Sequence, residues 1–372
     1  MPRRRRRPRT AQLSLALLLI AGGIVVYGFQ VSPYTLHSGG VYRILRVAIA
    51  PWLWGAAWAV LLAFLGQLLL LGRAFSTSSG GKMSVRAVPA GELFISEPSP
   101  SMFGNDRNSK DDPNWTNANW LKSRFHFAFA EYSSRTNANF GVLRVMNDDL
   151  VQPDRGFGTH PHSNMEIVTY IVEGSLTHKD SMGTSETLGR GSVQYMTAGT
   201  GIRHSEYNKD LKSPLRFIQM WLVPRQRGLT PAYGSLAGTE PARNRWTNLV
   251  GDADASTEEV DTPPIAINTD ANISVATVDA DAADGGLLIE LAEGRQAYLL
   301  VIEGKLSLNP SESCAVVESG GGVPGVTALE RHDSAELRGP LSLRVAAGAE
   351  EKGVAGAHVL LVEMADDGSS RY

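Results

Sequence analysis

One cysteine, Cys314, occurs in 372 residues. That excludes an intramolecular disulfide framework and any zinc site built from several thiolates. Acidic side chains are missing from the start of the chain: Glu92 is the first, and eleven Lys and Arg precede it. The rest is acidic, with 24 basic against 38 acidic residues. Such a body lacks the phosphate-neutralising cations of a nucleic-acid binder, so no direct nucleic-acid contact is expected. Beyond residue 82 the chain also lacks any long stretch with helical periodicity, which argues against a helix bundle.

What the first 82 residues do have is apolar length. Residues 11–29 form one uncharged apolar stretch and residues 47–71 a longer one, in which Gln67 is the only amide. A helix needs about 20 apolar residues to cross a bilayer, so the second qualifies and the first is borderline. Arg3 to Arg7 precede the first stretch, Arg43 and Arg46 separate the two, and Arg73 follows. One reading is a membrane anchor through residues 11–71, a hairpin of one or two helices with both ends on the cytosolic side. The other is a removed targeting segment, since an arginine-rich, acid-free start with an apolar run also marks such segments. The stretch "RAFSTSS" (Arg73 to Ser79) resembles a mitochondrial presequence cleavage site. Both readings predict a membrane-associated or organelle-targeted protein (mitochondrion or plastid), with nucleus and cytosol less favoured.

From Met83 the pattern changes. "MSVRAVPAGELF" suits a first strand, and a polar loop follows. Short segments then alternate or carry β-branched and aromatic residues: "SRFHFAFAEY", "FGVLRVM", "EIVTYIV", "SVQYM", "LRFIQMWLV". Gly, Asn and Asp punctuate them, which predicts an all-β sandwich or barrel. A second block carries "LLIELAEG", "QAYLLVIEGKLSL" and "HVLLVEM". "TYIVEGSL" (Thr169 to Leu176) and "LLVIEGKL" (Leu299 to Leu306) match around Glu-Gly, which predicts two related β-barrels.

Two histidine-bearing stretches carry the chemistry. In "GFGTHPH", His160 and His162 stand two apart, and on a strand such residues point to one side. Pro161 between them cannot donate to a ladder, which places the pair at a strand start or edge. Forty-two residues after His162, "GIRHSEY" offers His204 and Glu206 with the same spacing. A lone His-x-His is a weak motif, since a turn histidine bonded to backbone accounts for it as well. Two inward pairs on facing strands supply three imidazoles and a carboxylate, a donor set for a divalent first-row metal with positions left open. Gly199 and Gly201 suit the tight turn that delivers His204, and Met196 to Gly199 suits packing and turn formation. His126, His178, His332 and His358 have no such companions and are expected to be structural.

"GFGTHPH", then Glu166, then "GRGSVQYMTAGTGIRHSE" resemble the two cupin motifs in the form carried by the pirin family. "WLKSRFHFAFAEY", "FGVLRVMNDD", "WLVP" and "TPAY" are similar to pirin-like proteins as well. The likeness runs from about Trp120 to Tyr233, is weak in the C-terminal block and does not extend to residues 1–82. It implies an all-β protein of two tandem cupin (jelly-roll) barrels. The boundaries expected are 1–82 for the apolar segment, 83–228 for the metal-binding cupin and 229–372 for a metal-free one. The resemblance implies His160, His162, His204 and Glu206 as metal ligands. The general cupin pattern would put the carboxylate at Glu166 instead. Glu166 therefore stays a candidate for a supporting residue or general base, and Glu206 or Glu166 for the group that takes a substrate proton. The metal implied is Fe(2+), while Ni, Cu, Co, Zn or Mn suit the same donors. Counting back from Gly304 by the offsets that separate His160 and His162 from Gly174 gives Glu290 and Ala292, hence the metal-free expectation for the second barrel.

The function implied is that of a quercetin 2,3-dioxygenase. Its substrates would be O2 and a small phenolic molecule, a flavonol or similar enol, whose central ring is cleaved with release of carbon monoxide. The alternative that the resemblance implies is an iron-binding regulatory protein, a transcription cofactor or redox sensor that meets a protein partner without significant turnover. A cupin acting on another small molecule is a third reading, because one fold hosts many chemistries.

Overall fold

Leu121, Ser123 and Phe125 are buried while Lys122 and Arg124 between them are half-exposed, the period-two signature of a strand covering a core. The same logic recurs along the chain. In a computed structural model of the protein, the described residues are 83–105, 119–238, 240–255, 263–279, 286–310, 315–317, 327–348 and 356–366. They are all-β, with two short 3-10 turns and no α-helix among them. The helices expected within residues 1–82 lie outside the described residues.

The first half contains β1 (Ser84–Val88), β2 (Phe94–Ser96), β3 (Leu121–Phe125), β4 (Leu143–Val151), β5 (Arg155–His162), β6 (Glu166–Glu173), β7 (Ser175–Asp180), β8 (Ser185–Gly189), β9 (Val193–Thr197), β10 (Ile202–Asn208), β11 (Leu215–Leu222) and β12 (Ala232–Leu236). The second contains β13 (Thr247–Asp252), β14 (Ile265–Ile267), β15 (Ala271–Val278), β16 (Leu287–Leu291), β17 (Arg295–Glu303), β18 (Lys305–Pro310), β19 (Ala315–Val317), β20 (Thr327–Glu330), β21 (Ser334–Arg338), β22 (Leu341–Ala347) and β23 (Ala357–Ala365).

These strands form four sheets. A seven-stranded sheet, β12-β9-β6-β11-β4-β3-β2, faces a four-stranded one, β5-β10-β7-β8. Trp120, Leu121, Ile171, Leu176, Leu188, Leu215 and Phe217 fill the space between them. In the second half, β14-β13-β15-β23-β17-β21-β1-β19 faces β16-β22-β18-β20 around an aliphatic core that includes Leu299, Leu306, Leu337, Leu343 and Val345. Where barrels were expected, each half is a pair of open sheets: the core between two twisted sheets closes through side chains, with no ring of backbone pairing needed. Two strands cross the expected boundary at 228/229. β1 pairs with β21 and β19 of the second half, and β12 pairs with β9 of the first.

The internal repeat is visible in the turns. Gly174 joins β6 to β7 with φ +76°, and Gly304 joins β17 to β18 with φ +79°. Only glycine adopts this backbone readily, and at either position a Cβ would strike a neighbouring carbonyl oxygen, that of Pro214 or Gly356. β22, the neighbour of β16, buries Leu341, Leu343 and Val345, so aliphatic side chains fill that interior.

Alternation on two strands decides what faces what. On β4 and β11, Met146, Ile218 and Met220 pack outward on Tyr298, Leu300, Leu360 and Val362 of the second half. Their neighbours Asn147, Asp149, Gln219 and Trp221 point the other way, into a pocket beside β5 and β10. The seam and the pocket are therefore opposite faces of one sheet.

Candidate metal centre

β5 and β10 are hydrogen-bonded neighbours in one sheet rather than strands facing across a core. His204 lies opposite His160, and Ile202 opposite His162. The register then slips between His204 and Glu206. A bulge of this kind re-aims the side chain that follows it, and here Glu206 comes to lie beside His178 of β7. The turn ahead of β10 depends on Gly199, at φ +46°, where a Cβ would come within 2.0 Å of the Leu229 carbonyl oxygen. Met196 packs with Ile167, Ala198 and Ile202, the structural role expected of it.

The three imidazoles converge. Ligand nitrogens of His160, His162 and His204 all lie within 4.8 Å of one another. The Nε2 atoms of His160 and His204 stand 3.1 Å apart. His160 Nδ1 donates to the Gly158 carbonyl at 2.7 Å, which leaves its Nε2 as a lone pair facing the cluster. Burial, with the neighbouring histidines adding to it, pushes both His162 and His204 down to about 3. Both rings are therefore neutral near pH 7, the form that binds metal. Glu206 is buried and acts as an acceptor on both oxygens: Gln194 Nε2 donates to Oε1 at 2.5 Å and Gln219 Nε2 to Oε2 at 2.9 Å. The Trp221 indole in turn donates to Gln219 Oε1 at 3.1 Å. A carboxylate gripped by two amides is fixed in direction, as the ligands of a metal generally are. Converging lone pairs, neutral rings and a held carboxylate fit a divalent cation.

Glu166 is elsewhere. It is fully buried on β6, where Thr197 Oγ1 donates to it at 2.8 Å and Asn268 of the second half approaches at 3.4 Å. Counting four residues on from His162 keeps the face only along a continuous strand. Residues 163–165 instead form a turn, with Asn164 at φ +52°. Glu166 thus joins the contacts of the seam rather than the histidine cluster.

His178 corrects the expectation in the other direction. Its ring lies 5.3 Å from that of His204, and a second donor group joins His178, His204 and Glu206. Asp180 holds His178 Nε2 at 3.0 Å, and Tyr233 stacks on the ring at 4.4 Å. "THKD" was the available signal, a third pair two residues apart. The remaining histidines among the described residues are structural as expected: His126 meets Tyr298, His358 meets Tyr170, and His332 meets Asp148.

The pocket over His160, His162 and Glu206 is walled by Phe103, Phe125, Phe129, Phe157 and Trp221. Phe125, Phe129, Phe157 and Trp221 lie in the stretches that resemble pirins, but only the fold gathers them, with Phe103, around one pocket. Asp149 lines the same pocket, and burial pushes its carboxyl from the ordinary 3.8 to about 8, with the charges of Asp148 and Glu206 adding to burial against the Ser123 hydroxyl. The folded state then binds a proton that the unfolded chain has released, so this group costs stability increasingly as pH rises from about 4 to about 8. Asp149→Asn should raise the melting temperature by more at pH 8.5 than at pH 5. Thermal unfolding at both values checks this, and an equal shift at the two would contradict it.

The pirin family model matches residues 108–222. A pirin-like protein of Caulobacter vibrioides is 38% identical over 204 residues, 55% of this chain and 84% of the relative. The quercetin 2,3-dioxygenase of Escherichia coli K12 is 49% identical over 117 residues, 32% of this chain and 51% of that one. Among solved structures, the bacterial pirin YhhW from Escherichia coli, in complex with nickel(II), superposes with a TM-score of 0.56 at 26% identity, covering 76% of this chain and 99% of its own. These relatives are bacterial, and the family match begins beyond the apolar segments, which corrects the expected membrane or organelle address. No helix among the described residues is long and apolar enough to cross a membrane, and residues 11–71 lie outside them. With the histidine pairs seated side by side on neighbouring strands, and a pirin-like relative matched over most of its length, the chain belongs to the pirin family.

Proposed function

We propose that the protein is a metal-dependent cupin dioxygenase of the quercetinase kind, acting on a flavonol or a related enolic phenol. The observation that carries this reading is one pocket in which two converging histidines and a buried carboxylate, His160, His162 and Glu206, meet flat aromatic walls. His160, His162, His204 and Glu206 would hold the metal, with Fe(2+) as the first choice and another divalent first-row ion fitting the same donors. When bound, the metal would supply Lewis acidity at an enol oxygen and a path for electrons toward O2. The chain's own residues do the rest. Phe103, Phe125, Phe129 and Trp221 exclude water and align a planar ring by stacking or edge contact. Glu206 is the carboxylate within reach of a hydroxyl proton, since Glu166 is turned onto Thr197. Gln194 and Gln219 keep its oxygens aimed while the proton moves. Ring cleavage would then consume O2 and release carbon monoxide.

The test is aerobic turnover of quercetin by protein loaded in turn with Fe(II), Ni(II), Co(II) and Mn(II), followed by oxygen uptake and carbon monoxide release. Both signals in at least one loaded form are expected. Their absence from all four, with the metal content verified, would exclude the activity.

A further inference from the structure

The pocket has one wall that the chemistry above leaves unused. Asn147 and Asp149 line it, and each is 3% exposed. They stand two apart on β4 and so share a face. β11 sets Gln219 beside Asn147 and Phe217 beside Asp149, while β3 sets Phe125 and Ser123 on the other flank. Gln219 is fully engaged by Glu206 and Trp221. Asn147 is not: its Oδ1 has no hydrogen-bond partner among the described residues. A buried acceptor left unpaired is costly, so this wall favours an entrant that brings a donor. Asp149, raised by burial, is largely un-ionised at neutral pH and can donate as well as accept.

The chemistry of an entrant follows. A bare aromatic ring would satisfy neither group. A carboxylate or phosphate would bring a second acceptor against Asn147 Oδ1. A phenolic hydroxyl donates to Asn147 and accepts from Asp149 with one oxygen, and its ring lies among Phe125, Phe129 and Trp221.

We propose that Asn147 and Asp149 read a second hydroxyl of the substrate, other than the one held at the histidines, and thereby select polyhydroxylated aromatic molecules over simpler ones. This rests on the flavonol reading above, which names the molecule but not what the site discriminates.

The experiment is equilibrium binding of three flavonols to nickel(II)-loaded protein under nitrogen, followed by tryptophan fluorescence. 3-Hydroxyflavone carries only the enol hydroxyl, galangin adds hydroxyls on the fused ring, and kaempferol adds a further one on the pendant ring. The better of galangin and kaempferol should bind at least about fivefold tighter than 3-hydroxyflavone, the effect of one hydrogen bond of about 1 kcal/mol. Which of the two restores affinity reports the orientation of the ligand. In Asn147→Leu the preference should fall to within about twofold. Asp149→Leu, of similar size but with neither donor nor acceptor, serves as the second variant and should narrow the preference in the same direction. Equal binding of all three by the unaltered protein, or a preference that survives in both variants, overturns the proposal and leaves the flavonol reading intact. No binding of any flavonol overturns both.

Discussion

His204→Ala should abolish stoichiometric binding of a divalent metal, and Glu206→Ala should weaken it at least about a hundredfold, while Glu166→Ala leaves it in place. The grounds are geometric. His204 is the hub of the cluster: its Nε2 lies 3.1 Å from His160 Nε2, and it belongs to both donor groups. Its removal leaves no group of three converging donors among the described residues. Glu206 is the carboxylate of the two donor groups, and burial already disfavours protonated imidazole at His162 and His204, so those rings offer lone pairs beside it. Gln219→Leu should sit between these extremes, losing about 10- to 100-fold in affinity, because it frees Glu206 Oε2 without removing a donor. Metal content after dialysis and titration calorimetry with nickel(II) measure all four variants. Retention of the ion by His204→Ala, or its loss from Glu166→Ala, would contradict this assignment of donors.

That contrast between Glu206 and Glu166 also shows what could be read from the sequence. Spacing on a strand is local, so His160 with His162 and His204 with Glu206 were legible, and so was the all-β pattern around them. Spacing could not place Glu166, because a bend with a left-handed residue at Asn164 intervenes after His162, and no count of residues registers that reversal. His178 was missed for a different reason. Its partners are on β10, and only the register of β7 against β10 brings them together. The aromatic wall was out of reach in the same way, since Phe125 and Trp221 come together only through pairing of β4 with β3 and β11, while Phe103 and Phe129 join them from outside those strands. The placement of β1 in the sheet of the second half is likewise a long-range outcome. "SVRAV" reads as a strand but says nothing of its partner.

Asp148→Asn should destabilise the protein by about 3–5 kcal/mol, the largest stability loss expected from a single polar change here. Asp148 alternates with the two pocket residues on β4 and faces the seam. Its carboxylate accepts from Arg216 Nε at 2.8 Å and Nη2 at 2.7 Å, and from His332 Nδ1 of the second half at 2.6 Å. Arg216 Nη2 also reaches the Ile302 carbonyl at 3.0 Å, so this one pair ties both halves together. Burial alone would raise Asp148, yet the charge and hydrogen bonds of Arg216, with those of His332, hold it far below the ordinary carboxylate range. Its contribution is therefore complete above about pH 4 and lost only as strong acid protonates it. Replacing it by the neutral amide strands a guanidinium that is 1% exposed, and the cost comes from that uncompensated charge more than from the lost contact. The double variant Asp148→Leu with Arg216→Met removes both charges and refills the seam beside Met146, Ile218 and Met220. It should recover most of the loss, whereas a merely additive result would put the double variant below either single one. Urea unfolding of Asp148→Leu, Arg216→Met and the double variant at pH 7, with Asp148→Asn beside them, separates these outcomes. Recovery would show that the pair fixes how the halves register, while the surrounding apolar surface supplies most of the stability.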